Sequence, residues 1–149
     1  MAEPPRLDDL DFYKLIRSRL EHEDGLIVNR LSWLVASQSF LFTAYAIVLN
    51  GLAGPPGSQA MADRQICLLR LIPIVGIAAA ALIYAGILAA IRAMAWLRAS
   101  FRARIPEEAA AGLPSIHTPS RIRRLGLAAP IVLPVVFLLA WLYLLVAAR

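Results

Sequence analysis

Charge is scarce in this chain, and missing altogether from three long segments. Leu31 to Ala62, Leu71 to Ile91 and Leu125 to Ala148 contain no Asp, Glu, Lys or Arg. A helix that crosses a bilayer needs about 20 mostly apolar residues, so each segment is long enough. Three such helices buried in a water-soluble core are excluded, because too few polar faces remain to cover that core. Cysteine is almost absent as well. Cys67 is the only one, which rules out a disulfide or a thiolate metal cluster within one chain. Histidine is confined to His22 and His117, and neither has the spacing of a zinc site. The sequence has no glycine-rich phosphate loop and no nucleophile motif, so neither enzymatic activity nor a bound cofactor is expected. Ionisable residues are lacking from the interiors of the three spans, which argues against a proton-coupled transporter. An inverted-repeat transporter would also need more than three helices, unless chains paired antiparallel. The first 30 residues are charged and lack the apolar region and cleavage site of a secretory signal. The first hydrophobic helix is therefore expected to stay in the mature protein.

What is present is apolar bulk. Hydrophobic residues make up 60% of the 149 positions, and mean hydropathy is +0.67. The expected fold is an all-α integral membrane protein with three transmembrane helices and a cytoplasmic amphipathic N-terminal helix. The chain divides into a disordered tail (1–7), the amphipathic helix (8–30) and a first span (31–51). An outer loop (52–67), a second span (68–91), a basic cytoplasmic extension and loop (92–124) and a third span (125–148) follow. The N-terminal helix begins near "LDDLDF", where Asp8, Asp9 and Asp11 suit a helix start through capping and the macrodipole. Phe12, Ile16, Leu20 and Ile27 recur at helical spacing with Tyr13 beside them, forming an apolar stripe. The stripe needs cover, from another subunit, from its own chain such as the basic loop, or from the membrane surface. The helix is expected to run into the first span, with Gly25 as its weakest point.

Arginine placement orients the spans. Arg6, Lys14, Arg17, Arg19 and Arg30 precede the first, and Arg92, Arg98, Arg102, Arg104, Arg121, Arg123 and Arg124 lie between the second and third. The first connection holds only Arg64, with Arg70 at the start of the next helix. Positive charge stays inside, which places the N-terminus in the cytoplasm and the C-terminus outside. Arg92, Arg98, Arg102, Arg121, Arg123 and Arg124 sit where anionic lipid headgroups would be met. Topology and lipid account for the basic residues without nucleic acid. Glu21, Glu23 and Asp24 could gather a hard cation across an oligomer axis, although a solvated acidic surface explains them more simply.

The second span carries small residues four apart: Gly76 and Ala80, then Ala81, Ala85 and Ala89, then Gly86 and Ala90. Such spacing lets helix backbones approach closely. The span is expected to continue through "RAMAWLRASFRARI" until Pro106 ends it, with Trp96 near the interface. The stretch "PEEAAAGLPSIHTPS" reads as a loop. In the third span Pro130 and Pro134 free backbone carbonyls and bend the axis. Trp141 and Tyr143 are expected at its outer end.

The first span is unusual in its polar content. Steps of three and four from His22 give Gly25, Asn29, Ser32, Ala36, Ser39, Thr43, Ala46 and Asn50, all small or polar and all on one helix face. The opposite face holds Leu31, Leu34, Gln38, Leu41, Phe42, Tyr45, Val48 and Leu49, suited to lipid or neighbouring helices. The polar face avoids lipid. It is either a close helix–helix seam, with Ser and Thr bonding a neighbour's backbone, or the wall of a narrow pore.

The same stretch, "NRLSWLVASQSFLFTAY" preceded by "EHED", resembles the first-helix signature of a family of small bacterial membrane proteins. The shared positions are Asn29, Arg30, Leu31, Trp33, Gln38, Phe40, Leu41, Phe42, Ala44 and Tyr45, over about one ninth of the chain. The resemblance implies a small inner-membrane protein and brings no activity or functional residue with it. The expected function is a homo-oligomeric ion channel or pore with the first helix at its axis. The alternative is a non-conducting scaffold or sensor that binds a cytoplasmic protein through the N-terminal helix and basic loop. The orientation is directly testable. A reporter fused after Arg149 should lie outside the cytoplasm and one inserted within Gly112–Pro119 inside, and opposite labelling at either point would reverse the assignment.

Overall fold

The computed structural model describes residues 8–52, 59–105 and 120–147. They form three helices: α1, Asp9–Leu52; α2, Gln59–Arg104; and α3, Ser120–Ala147. Each is long and apolar enough to cross a membrane, so the chain is an all-helical, multi-pass membrane protein. The tail at 1–7 and the loop "PEEAAAGLPSIHTPS" fall almost wholly outside the described residues.

Two expected boundaries change. The segment 52–67, read as an outer loop, is helical from Gln59 onward. Its Pro55, Pro56 and Gly57 lie before that point, and "QAMADRQICLL" after it consists of residues that helices accept readily. A separate amphipathic cytoplasmic helix over 8–30 is not found. Those residues are the first turns of α1, which runs on through Gly25 into the first span as expected and contains a stretch apolar enough to cross a membrane. A glycine costs a helix interior only about 0.5–1 kcal/mol relative to alanine, too little to break a helix packed along its neighbour.

At about 1.5 Å per residue, α1 and α2 are each close to 70 Å long, roughly twice the thickness of the hydrocarbon core. The excess of α1 lies at one end, where residues 9–22 run beside 92–105 of α2 and form a two-helix stalk. α2 also extends past its charge-free run at the other end, over residues 59–70. The helices are antiparallel, with Tyr13 and Ile16 meeting Phe101 and Ile105 at the stalk tip and Tyr45 meeting Leu69 at the far end. The N-terminal stripe is covered here by its own chain. Tyr13, Ile16, Leu20 and Ile27 pack on Ile87, Ala90, Met94, Leu97 and Phe101. Phe12 stacks on Phe101 with centroids 6.5 Å apart, and Tyr13 meets the same ring edge-on at 6.2 Å. Arg104 lies over the Phe12 ring, 4.3 Å from its centre, where the ring's negative face attracts the cation. On the outer surface Arg17 is held above its ordinary pKa by its bond to Glu21 and, secondarily, by Tyr13.

Helix α3 packs along α2 and meets α1 only narrowly. Its Pro130 and Pro134 are buried and leave the helix unbroken. Pro73, inside α2, is likewise fully buried. A proline omits one backbone hydrogen bond, which here leaves the carbonyls of Leu69, Gly126 and Pro130 without their helical partners.

Two glycines should respond oppositely to the same change. A methyl group added at Gly25 would meet nothing within 4 Å, whereas one added at Gly76 would fall 2.5 Å from the Trp141 indole. Gly25→Ala should stabilise the protein by about 0.5–1 kcal/mol. Gly76→Ala should destabilise it by about 1–3 kcal/mol through overpacking. Unfolding in bicelles, followed by circular dichroism, measures both.

Candidate functional sites in the bundle

The membrane-embedded part of the fold is organised around one polar contact. Gln38, in the middle of the first span, is 0% exposed, as is Trp141 of α3. The Trp141 indole N–H donates to Gln38 Oε1 at 2.5 Å, and Gln38 Nε2 donates to the Gly76 carbonyl of α2 at 3.4 Å. One side chain thereby joins all three helices. The indole fits because Gly76 has no Cβ to fill the hollow it occupies. Phe42 stacks on it with centroids 4.1 Å apart and planes 7° from parallel, and Tyr45 closes it edge-on at 6.0 Å. The expected place of Trp141 at the outer end is corrected here. Side chains on a helix lean toward its N-terminus, and this lean carries the ring back to the depth of Gln38. Tyr143, two residues on, is exposed on the surface of α3.

A second cross-helix bond lies toward the stalk. Arg30, half-buried, donates from Nη1 to the Gly86 carbonyl of α2 at 2.7 Å. Of the small-residue pairs in α2, Gly76 and Ala80 are buried and serve the bundle, and Ala90 packs under the stalk. Ala81, Ala85 and Ala89 are exposed on the outside.

The polar seam of α1 faces away from both partner helices. Asn29, Ser32, Ala36, Ser39, Thr43, Ala46 and Asn50 are all exposed, while Leu34, Gln38 and Tyr45 on the opposite face are buried. Tyr45 is thus a packing residue and not a lipid contact. Beside the seam, Trp33 and Phe40 are each 73% exposed. Two seam hydroxyls turn back onto their own helix: Ser32 bonds the Val28 carbonyl at 3.0 Å and Thr43 the Ser39 carbonyl at 2.8 Å. Their protons are satisfied, and their lone pairs remain on the outer face.

No family model, curated protein or solved structure matches this chain. Function has to be read from its own residues. Of the basic group, Arg92 and Arg102 are exposed and Arg98 is half-buried. The side chains of Arg121, Arg123 and Arg124 lie outside the described part. Glu21 and Asp24 are exposed and Glu23 is half-buried, and among the described residues no group of His, Cys, Asp and Glu is placed to hold a metal ion. His22 is exposed, and His117 is outside the described residues.

Gln38 is the residue whose role spacing alone leaves unread, since it falls among apolar neighbours on the packing face. Its chemistry is the available signal: a primary amide at mid-span needs partners for its donors and its acceptor. Trp141→Phe should therefore destabilise the bundle by about 1–3 kcal/mol, because it strands the Gln38 carbonyl in a dry core. Adding Gln38→Leu to Trp141→Phe should recover part of the loss, so that the double change costs less than the sum of the single ones. Strict additivity in a double-mutant cycle, measured by unfolding in bicelles, would show the bond to be energetically idle.

Proposed function

We propose that this protein is a small homo-oligomeric assembly of the bacterial inner membrane, with α1 seams gathered around a common axis that conducts ions. In this reading the stalk and the N-terminus lie in the cytoplasm and the C-terminus outside. The observation that carries it is the uncovered seam. The chain packs the apolar face of α1 onto its own α2 and α3 and leaves all seven small or polar residues outward. A polar face in a membrane span requires another helix or water beside it, and a second copy of the chain supplies both around a symmetry axis. Asn29 and Asn50 are 21 residues apart, about 31 Å along the helix, which matches the hydrocarbon thickness. Amides at both mouths and hydroxyl oxygens between them suit a narrow hydrated path.

The second reading, a non-conducting scaffold or sensor, draws support from the stalk. Two helices projecting well beyond the bilayer offer a docking surface for a cytoplasmic protein, and a pore has no need of such a projection.

The two readings separate in a single set of variants. Ser39→Leu and Thr43→Leu act at exposed positions, so each chain should still fold. In a conducting assembly the leucines narrow and dewet the wall, and current in planar bilayers should vanish while the oligomer persists on size exclusion. In a dry packed seam the assembly itself should dissociate, at about 1–3 kcal/mol per site. Leu82→Ala, on an exposed face of α2, should alter neither. Retention of both oligomer and current by the seam variants would remove α1 from the axis.

A further inference from the structure

At the end of the bundle remote from the stalk, the three helices border a cleft of about 630 Å³. This lies within the range of about 300–1,000 Å³ typical of small-ligand sites. Leu49 and Leu52 of α1, Leu69 of α2 and Leu144 of α3 give it apolar walls. It opens sideways to lipid, where Leu49, Ile66 and Tyr143 are exposed. Among the described residues the one charge on its lining is Arg70 of α2. The depth of Arg70 is set by its neighbour Leu69, which meets Tyr45. From Tyr45, α1 runs on to Leu52 without a charge, about 10 Å along the helix. Arg70 thus stands well inside the end of the apolar stretch of α1.

A guanidinium at that depth needs a counter-charge, and no described residue supplies one. Arg70 makes no hydrogen bond or ion pair with any of them. α1 has no acidic residue after Asp24, α3 has none, and residues 53–58 carry no charge. The sole acidic residue of α2, Asp63, is about 10 Å along the helix from Arg70 and does not line the cleft. We propose that the cleft binds one phospholipid of the leaflet remote from the stalk, held by its phosphate on Arg70. An arginine offers five donors in a fork that matches phosphate oxygens. Side chains lean toward the N-terminus of their own helix, so those of α1 and α3 lean into the membrane and those of α2 lean out of it. The guanidinium is thereby raised toward the headgroups, and an acyl chain runs inward below it past Leu49 and Leu144. A free anion would satisfy Arg70 and leave the apolar walls bare, whereas a phospholipid fits both.

The test reconstitutes the full chain in vesicles of equal phosphatidylcholine and galactosyl diacylglycerol, extracts it gently and counts retained lipids by native mass spectrometry. Neither lipid has a net charge, so a preference reports the phosphate. The wild-type chain should retain about one phosphatidylcholine, enriched about fivefold over the glycolipid. Arg70→Gln, at an exposed position, should abolish that enrichment. Arg64→Gln, which removes an exposed arginine of α2 that does not line the cleft, should leave it intact. Ala147→Trp fills the cleft and spares Arg70, and it should expel the phospholipid with helical content unchanged by circular dichroism. Retained lipid that mirrors the vesicle composition in the wild-type chain would overturn the proposal. So would an enrichment that survives Arg70→Gln, an equal loss in Arg64→Gln, or full retention in Ala147→Trp.

Discussion

A hydrogen-bonding group placed halfway across a bilayer has no water to fall back on, and Gln38 occupies that position. Its amide needs an acceptor and a donor from other helices, and Gly76 and Trp141 provide them. Much of the membrane-embedded packing follows from meeting that need. Residue 76 must lack a Cβ for the indole to reach the amide. Phe42 and Tyr45 must flank the ring to hold it in plane. α3 must lie against α2 more than α1, because the hollow that receives its tryptophan is in α2. The contact also fixes which way α1 is turned. With Gln38 and Tyr45 directed inward, the polar seam half a turn away is necessarily directed outward.

Much of this is legible in the sequence. The three charge-free runs mark the spans because a bilayer tolerates little else over about 20 residues. Helical spacing separates the seam of α1 from its packing face correctly, since periodicity reports which residues share a face. It reports nothing about what that face meets. Spacing thus groups Gln38 and Tyr45 with residues fit for lipid or protein, and only tertiary structure shows that they bury. Trp141 escapes sequence reasoning for a related reason. Aromatic residues near span ends usually mark the interface, but the lean of a side chain along its helix and the hollow at Gly76 are long-range facts. Arg30 reads in sequence as a topological charge, and its bond to the Gly86 carbonyl, 56 residues away, leaves no local trace. The N-terminal stripe and its continuity with the first span are both legible, whereas the surface of α2 that covers the stripe is not.

The bundle and the stalk are stabilised by different means. Inside the membrane, apolar surface gains nothing by leaving lipid for protein, so hydrogen bonds, close fit and aromatic stacking bring the helices together. Along the stalk, which carries the charged residues, burial of Ile16, Leu20, Met94 and Leu97 regains the hydrophobic driving force. The Arg30–Gly86 bond lies at the junction of the two regimes. It holds a guanidinium against a backbone carbonyl at the point where neither lipid nor water is the full solvent.

The unbroken course of α1 from Asp9 to Leu52 has a mechanical consequence. A helix without a joint is stiff to twist as well as to bending, and this one is clipped to α2 at three stations: the Phe12 and Tyr13 rings on Phe101, Arg30 on Gly86, and Gln38 on Gly76. Torque applied at the tip has no loop in which to dissipate before it reaches the far leaflet. Turning the two rods against each other would act first on the longest of these bonds, the 3.4 Å contact between Gln38 and Gly76. The stalk and the tryptophan pocket are in this sense two ends of a single lever.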